Sequence, residues 1–500
     1  MMCRRIPPLV VTLALAGCSQ APSVVVDGGP PPGDAAPRDR ALAADAPRAD
    51  VALPPVEPHR HSWARAGAGF TGGATMAVAT DAAGNVYLGG FFAGTGTLGS
   101  FVLEGPEFGG VLFVAKLDPQ GRPLWVRQTG GNPRAQVQGL AVSPSGEVYL
   151  VGGFNGEITL GAFTLKSAGE PIPSGPFTIA VDDILVAALS PEGEVRWAKR
   201  FGGVLQDFGQ AAALSPDGDI VIGGGCAGGF LFGDKPVGSS GGSDDACLAR
   251  LSPSGEVRWA TTGGGYGTDE VRSLAVDRQG QVFAVGQVHG PASFAGHALP
   301  GVDDYNGFLV KLSPQGGVQW AKPIGADPTH EGATAVALEP EGRGVIVAGS
   351  FETTLKLAGK QLKAHGGGDL FLARFSTADG AAEWARAVGG AGDEFAGALT
   401  VDARGTIYLA ASFEQMLVLD AFTLAAAGGE DVLLAAFSPQ GTARWVISGG
   451  GTSSDSGSAL ALASDRSLVV GGQTRGRPMF GDTVLTTPGL DFYVWKLAPP

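Results

Sequence analysis

Ionisable side chains recur at one position of a repeated sequence unit, ten residues after each of seven tryptophans. Five consecutive units carry a carboxylate or an imidazole at this position, and two carry a small residue. Such groups, gathered in one place, would concentrate a cation or attract a basic partner, because their fields add. They could also supply the ligands of a metal-dependent hydrolase or lactonase, with the imidazole as its base. The residues at this position are Gly73, Ala135, Asp207, Asp269, His330, Glu394 and Asp455, of which the last five are our candidate binding residues.

A structural interpretation competes with binding at these positions. Short acidic side chains commonly accept hydrogen bonds from backbone N–H groups of their own loops, so the five residues could simply cap those loops. A second polar series precedes another predicted strand of each unit, and we expect it to fix a turn rather than to bind anything. This second series consists of Asp183, Asp245, Asn306, Asp369, Asp431 and Asp491.

Two cysteines replace aromatic residues in the third unit. The second predicted strand of a unit usually ends in Phe and the third usually begins close to another Phe, but Cys226 and Cys247 stand there instead. Because both positions change in the same unit, we infer that they touch and that the cysteines form a disulfide, which an exported protein can keep. Two buried free thiols are the alternative.

The sequence carries no familiar catalytic motif. It has no H-E-x-x-H, G-x-S-x-G or phosphate-binding loop. Its six histidines do not stand at the spacings of metal ligands. We therefore expect no catalytic residue, no metal, no cofactor and no enzyme activity.

The repeated unit itself predicts the fold. Its tryptophans are 61–72 residues apart, and four short runs rich in Val, Ile, Leu and aromatic residues lie between them. Turns such as Asp118-Pro-Gln-Gly and Ser190-Pro-Glu-Gly join neighbouring runs tightly. Four antiparallel strands repeated radially form a propeller blade, so we predict an all-β, seven-bladed β-propeller with almost no helix. The tryptophans, which we expect to pack between blades, are Trp63, Trp125, Trp197, Trp259, Trp320, Trp384 and Trp445.

The frame of the repeats predicts how the ring closes. With strands named A to D from the inside outwards, the folded chain begins with a D strand near residues 62–66 and ends with a C strand near residues 492–497. The last blade therefore lacks its own D strand, and the N-terminal strand is left over to supply it. This arrangement removes the exposed sheet edge.

The quoted unit resembles a known family. Trp320-Ala-Lys, Leu274-Ala-Val-Asp277 and Asp369-Leu-Phe-Leu-Ala-Arg374 carry the likeness to the seven-bladed β-propeller repeat family, called SBBP, over about residues 60–500. The resemblance implies a propeller on a bacterial cell surface and implies no particular activity.

The N-terminal residues are typical of a lipoprotein export signal. Arg4 and Arg5 precede an apolar run at residues 9–16, which is too short to span a membrane because a spanning helix needs roughly 20 residues. The run ends in Leu-Ala-Gly-Cys18, which resembles the lipobox where the signal is cut and the cysteine is acylated. An ordinary secretory signal with a chance cysteine is the alternative.

These features divide the chain into three parts. We predict a lipoprotein signal peptide over residues 1–17, a disordered tether rich in Pro, Ala and Asp over residues 18–58, and the propeller over residues 59–500. Lipid on Cys18 would anchor the protein in the cell envelope, in the outer membrane or at the cell surface.

Composition narrows the partners. The net charge of −14 argues against nucleic acid and against an anionic membrane surface. The longer D–A and B–C loops share one face, which we expect to bind a protein or glycan partner, and residues 170–179 enlarge it in blade 2. We expect a monomeric, non-catalytic binding or scaffold module. The alternatives are the metal-dependent hydrolase or lactonase and a purely structural surface protein.

Overall fold

The computed structural model describes residues 57–500 apart from residues 132–133, 175–176, 239–241, 302–303 and 326–329. Cys18, the predicted signal peptide and nearly all of the predicted tether lie outside the described residues. Within them the regular secondary structure is almost entirely strand, and the one helical segment is the short 3₁₀ turn Pro340–Gly342. No helix in this part of the chain has the length and apolar character needed to cross a membrane.

The described strands pair into seven groups of four antiparallel strands in the order A-B-C-D. Further pairs join two of these groups into one eight-stranded sheet and extend another group to six strands. We number the blades by the chain order of their A strands. The A strands are Gly72–Thr80, Ala135–Val142, Asp207–Leu214, Glu270–Val276, Glu331–Leu338, Glu394–Val401 and Ser456–Leu462. The B strands are Val86–Ala93, Val148–Phe154, Ile220–Cys226, Val282–His289, Gly344–Phe351, Ile407–Leu419 and Leu468–Gly476. The C strands are Val111–Leu117, Asp183–Leu189, Asp245–Leu251, Tyr305–Leu312, Asp369–Ser376, Phe422–Phe437 and Thr487–Ala498. The D strands of blades 1 to 6 are Pro123–Gln128, Val195–Phe201, Val257–Gly264, Val318–Ile324, Ala382–Gly390 and Ala443–Gly449.

The N-terminal strand Arg60–Ala66 supplies the D strand of blade 7. It pairs antiparallel with the C-terminal strand Thr487–Ala498, and Ala64 lies opposite Trp495. A side-chain bond joins the same two strands, because Trp495 Nε1 donates to His61 Nδ1 at 3.1 Å. The predicted closure of the ring is confirmed.

Seven apolar clusters hold the blades together, one between each pair of neighbours. The cluster between blades 1 and 2, for example, joins Leu112 and Val114 to Leu150 and Leu185. The ring has no open end, since a further cluster joins Phe492 of blade 7 to blade 1. A closed ring of four-stranded antiparallel sheets is a β-propeller, as the repeats predict. The burial of such side chains contributes about 1.5–3 kcal/mol each and is the main source of stability.

The repeat tryptophans seal the outer strands on the face of the A–B and C–D turns. Five of them donate Nε1–H to a proline carbonyl in the C–D turn of the next blade; Trp125 does so to Pro191 at 3.0 Å. The glycine of the same turn packs against the indole ring, and a Cβ atom at Gly193 would come within 2.6 Å of Trp125. This glycine also has a positive φ of 80°, so both the turn and the packing require it. The five bonded tryptophans are Trp63, Trp125, Trp197, Trp259 and Trp384.

Trp320 and Trp445 are buried but have no partner for Nε1 among the described residues. Blade 5, which faces Trp320, has a longer C–D turn without proline, Ser-Thr-Ala-Asp-Gly380. Blade 7 has no C–D turn, because its C strand Thr487–Ala498 and its D strand Arg60–Ala66 come from distant parts of the chain. His59 fills part of that space, with its ring 5.7 Å from the Trp445 ring.

The B–C connections differ from the loops that the sequence suggests. Each forms a hairpin at the outer edge of the ring, and several bond to the D strand of the preceding blade. Gly263 and Gly264 of blade 3, for example, pair with the Ala292–Phe294 strand of the blade 4 hairpin. The hairpins are therefore braces between blades. In blade 6 the hairpin continues the B and C strands; elsewhere the pairs are Thr95–Leu98 with Phe101–Glu104, Glu157–Leu160 with Phe163–Lys166, Phe230–Phe232 with Lys235–Val237, Ala292–Phe294 with His297–Leu299, Thr354–Leu357 with Lys360–Lys363, and Met479–Phe480 with Thr483–Val484.

Blade 3 contains the predicted disulfide. Cys226 at the end of strand B is bonded to Cys247 of strand C, with the two Cα atoms 5.9 Å apart. Both residues are buried in the cluster between blades 2 and 3, beside Phe201 and Phe232. The inference from paired replacement of two aromatic residues is confirmed.

Candidate functional site

Every A strand contains a β-bulge at the same level. The register of each A–B pair skips one residue of the A strand, as between Val271 and Ser273 in blade 4. A bulge adds a residue that no partner opposes, and it can re-aim that side chain. The skipped residues are Met76, Gln138, Gln210, Arg272, Thr334, Gly397 and Ser458.

These bulge residues line the central channel. All seven are half-buried, and together with their neighbours on the A strands they surround a cavity of about 240 Å³. The ring presents two amides, a guanidinium, two hydroxyls and a thioether. In blade 6 the residue is Gly397, where a Cβ atom would lie 2.0 Å from the Gly457 carbonyl oxygen. The innermost strands of blades 6 and 7 therefore approach too closely for a side chain.

Glu270 links the two polar bulge residues of blades 3 and 4. It is buried at the start of the blade 4 A strand. Arg272 Nε donates to one of its carboxylate oxygens at 2.7 Å, and Gln210 Nε2 donates to the other. The positive charge that faces the channel is thus matched by a negative charge on the same strand.

The predicted acidic series lies three residues before the bulges, where the D–A loop enters the A strand. Asp207, Asp269, Glu394 and Asp455 occupy this position in their blades and are at most 1% exposed. In blade 5 the residue at this structural position is Glu331, the neighbour of the predicted candidate His330. Glu331 stands three residues before the bulge residue Thr334, because the D–A loop after Trp320 is one residue longer.

The buried carboxylates brace their loops. Asp269 accepts a hydrogen bond from the backbone N–H of Gly265 and another from that of His289, both at 2.6 Å. Asp207 is bonded in the same way to Gly203 and Ala227. These hydrogen bonds cap backbone N–H groups of the loops, as the structural interpretation of the acidic series predicts. Direct contact of these side chains with a partner would require the loops to open.

Burial changes the protonation of these groups. Loss of water raises the pKa of Asp207 and of Asp269 from 3.8 to about 7, and that of Glu394 from 4.5 to about 8. Nearby carboxylates act in the same direction; Asp183, for instance, raises the pKa of Asp207 further.

The second polar series also turns inward. Asp183 accepts from the N–H of Ala168 at 2.7 Å, and Asp431 accepts from that of Ala427 at 2.7 Å. Both bonds fix the end of a B–C hairpin, which matches the expected role in a turn. The two series meet beside the glycine that follows strand D. A Cβ atom at Gly202 would lie 2.6 Å from Asp183 Oδ1 and 2.9 Å from Asp207 Oδ2.

His330 lies at the surface rather than in the acidic series. Its ring packs against Tyr305 with centroids 4.9 Å apart, and its Nδ1 is 3.7 Å from Asp304 Oδ1. Among the described residues, no three or more His, Cys, Asp or Glu side chains are placed to hold a metal ion. The metal-dependent alternative therefore has no assembled ligand set in this part of the chain.

The face of the D–A and B–C loops carries exposed apolar side chains. Val204 and Tyr266 stand at the tips of successive D–A loops and are 72% and 66% exposed. Phe108 of blade 1 and Phe395 of blade 6 are also exposed. The blade 2 insertion at residues 170–179 forms a short hairpin, Ile172–Ser174 with Phe177–Ile179, and residues 175–176 lie outside the described residues.

A cavity on the opposite face was not predicted from the sequence. It measures about 510 Å³ and lies between the A–B turns of blades 4, 5 and 6, lined by Val276, Leu338 and Val401 among others. Blade 5 opens it with an irregular A–B turn, in which Glu341 has a φ of 66°. The A–B turn of blade 5 is one residue longer than those of blades 4 and 6, with six residues between the paired Leu338 and Val345, and this extra length is visible in the sequence.

No protein-family model and no curated protein matches this chain. Solved structures do resemble it. The Dos1 propeller is 10% identical, with a TM-score of 0.39 over 88% of this chain and 95% of its own. The Cps50 (Swd1) propeller domain of Myceliophteria thermophila is 11% identical, with a TM-score of 0.40 over 88% and 99%. A gluconolactonase of Xanthomonas campestris is 12% identical, with a TM-score of 0.33 over 73% and 90%.

These likenesses carry no argument about activity, since the identities are low and the TM-scores lie under 0.5. The propeller fold rests on the strand pairing itself. The binding role of the predicted residues stays a prediction.

Proposed function

We propose that this chain is an exported, lipid-anchored propeller of the SBBP type that acts as a non-catalytic binding or scaffold module in the cell envelope. The lipobox at Cys18 and the long Pro- and Ala-rich tether support the anchoring. The observation that carries the binding role is the exposure of large apolar side chains on the D–A loops, with Val204 and Tyr266 foremost. Large apolar side chains exposed on neighbouring loop tips of one face are typical of surfaces that bind partners.

The buried carboxylates explain how these loops hold their shape. Asp207 binds the N–H of Gly203, which directly precedes Val204. Asp269 binds the N–H of Gly265, which directly precedes Tyr266. A loop fixed before binding loses less conformational freedom when a partner docks, so affinity is higher. In this proposal the acidic residues position the contact side chains and do not touch the partner.

The partner is a protein or a glycan of the envelope. Nucleic acid is disfavoured by the net charge of −14. The exposed Tyr266 suits either partner class, because its ring can pack on apolar surface and its hydroxyl can form hydrogen bonds.

Retention of a partner tests the binding role. The full chain carrying Cys18→Ala is used to capture material from solubilised envelope, beside a version with Val204→Ser and Tyr266→Ser. A matched control carries Leu124→Ser, since Leu124 is 50% exposed beside the C–D turn on the opposite face. We expect the parent and the control to retain the same partner and the double variant to lose it. Retention by neither parent nor control, or by all three chains equally, contradicts the proposal and favours a purely structural protein.

Membrane flotation tests the anchor separately. We expect the natural chain to float with membranes and the Cys18→Ala chain to stay in the soluble fraction, because a chain with two or more acyl groups binds membranes stably. Flotation of both chains would show that lipid on Cys18 is not the anchor.

A further inference from the structure

The bulge ring is a built feature of the channel that the proposed function does not use. Each of the seven A strands departs from regular pairing at one level, and each departure brings one residue to the cavity wall. Four consecutive blades present polar side chains there, namely Gln138, Gln210, Arg272 and Thr334. Blade 7 adds Ser458 on the other side. Bulges of this kind often stand beside binding sites, because they aim a side chain away from the sheet.

The charges of the ring indicate the class of ligand. Arg272 on the cavity wall is paired at 2.7 Å with the buried Glu270, so its positive charge is already matched. A small anion would find the positive charge of Arg272 already matched by Glu270. A bare cation would be repelled by the guanidinium of Arg272. An uncharged ligand needs no unpaired charge in the wall, so it suits this ring.

The remaining groups match hydroxyls. Amides offer both donors and acceptors, and hydroxyls do the same, so the ring can exchange hydrogen bonds with a ligand rich in O–H groups. The cavity of about 240 Å³ is smaller than the common range for drug-sized ligands, about 300–1,000 Å³, and suits a single small ring. Met76 and Gly397 leave two apolar positions in the wall, against which C–H groups can pack.

We propose that the central channel binds one small uncharged polyhydroxylated molecule, a monosaccharide or a cyclic polyol, at the ring of bulge residues. This site is independent of the partner surface on the D–A loops. Each can therefore fail without the other.

Calorimetric titration of the full Cys18→Ala chain tests the ligand class. The probes are glucose, galactose, N-acetylglucosamine and myo-inositol, with glucuronate and glucosamine as charged counterparts of glucose. We expect at least one uncharged probe to bind with a stoichiometry near one, and the charged counterparts to bind at least tenfold more weakly. Tighter binding of a charged counterpart, or no saturable binding of any uncharged probe at its highest soluble concentration, overturns the proposal.

Variants then place the bound molecule in the channel. We expect Gln138→Leu and, separately, Ser458→Met to weaken binding at least tenfold, the first by removing an amide and the second by filling space. Leu124→Ser, at the surface beside a C–D turn and outside both proposed sites, should leave the affinity unchanged. A urea unfolding midpoint for each variant verifies that it remains folded. Undiminished binding in both channel variants places the ligand elsewhere and refutes the site.

Discussion

The contact between blades 3 and 4 differs from the contact between blades 1 and 2 in the group that accepts a backbone N–H beside the D–A loop. A buried carboxylate accepts it in the first contact, and a backbone carbonyl accepts it in the second. Between blades 3 and 4, Asp245 at the start of strand C and Asp269 at the end of the D–A loop are both buried. Between blades 1 and 2, the corresponding residues are Val111 and Ala135, which carry no charge. In the blade 1–2 contact the N–H of Asn155 donates to the Arg134 carbonyl at 3.0 Å. In the blade 3–4 contact the equivalent N–H, that of His289, donates to the Asp269 carboxylate.

The difference shows what the buried carboxyls do. In the blade 1–2 contact a backbone carbonyl takes the place that Asp269 holds in the blade 3–4 contact. Blade 6 combines both arrangements, because the N–H of Glu414 bonds to the Asp393 carbonyl and Glu394 is buried beside it. The buried acids of blades 3 and 4 thus accept backbone hydrogen bonds that each blade can also satisfy in another way. The bulges, which all blades share, and the exposed loop tips are better placed to meet ligands.

The largest expected consequence is a dependence of stability on pH. Burial raises the pKa of Asp207 and Asp269 to about 7, of Glu394 to about 8 and of Asp491 to about 6. The folded state thus binds more protons than the unfolded chain between about pH 4 and about pH 7, so its stability falls as pH rises. A pKa that differs by one between the folded and unfolded states corresponds to about 1.4 kcal/mol, so we expect a loss of several kcal/mol in the free energy of unfolding from about pH 5 to about pH 8.

Urea unfolding across this pH range measures the effect. Groups such as Asp420, whose pKa is lowered by hydrogen bonds from Arg386, act the opposite way and reduce stability only in more acidic solution. A free energy of unfolding that rises steadily from about pH 5 to about pH 8 would show that the buried carboxyls are not protonated in the folded protein.

Single replacements should separate the two kinds of blade contact. Asp269→Ala leaves the N–H groups of Gly265 and His289 without acceptors, so we expect a loss of about 2–4 kcal/mol. Asp269→Asn keeps one acceptor and cannot ionise, so its cost should be smaller and the pH dependence weaker. Ala135→Asp introduces a carboxyl where the backbone is already paired, and it should destabilise rather than improve the blade 1–2 contact. A gain in stability from Ala135→Asp, measured by urea unfolding, would contradict the assignment of these acids to backbone capping.

Much of the ring was accessible to sequence analysis because its signals are periodic. Three of these signals come from comparing units within the chain. They are the tryptophan spacing, the strand order that begins with a D strand, and the paired replacement at Cys226 and Cys247. The disulfide and the N-terminal closing strand follow from such comparisons alone.

The bulge ring was not accessible in the same way. Its residues differ in type from blade to blade, with glutamine alone occurring twice, so no residue type marks a bulge, and one extra residue in a short strand leaves no pattern. Counting from tryptophan fails in blade 5 for a related reason, since a loop longer by one residue moves the position from His330 to Glu331. Burial of the acids was equally hidden, because sequence shows a carboxylate but not the backbone N–H groups that surround it.

The smallest expected effect concerns the opposite face of the ring, where Trp125 and Trp320 offer a matched pair. They are 7% and 8% exposed, but of the two only Trp125 donates its N–H, to the Pro191 carbonyl at 3.0 Å. Replacement by Phe removes similar volume at both sites, so the costs of the two cavities should nearly cancel. We therefore expect Trp125→Phe to cost about 1 kcal/mol more than Trp320→Phe in the free energy of unfolding. Equal costs, measured by urea unfolding, would mean that the bond to proline adds nothing to the packing of the ring, and that proline in these turns serves the turn alone.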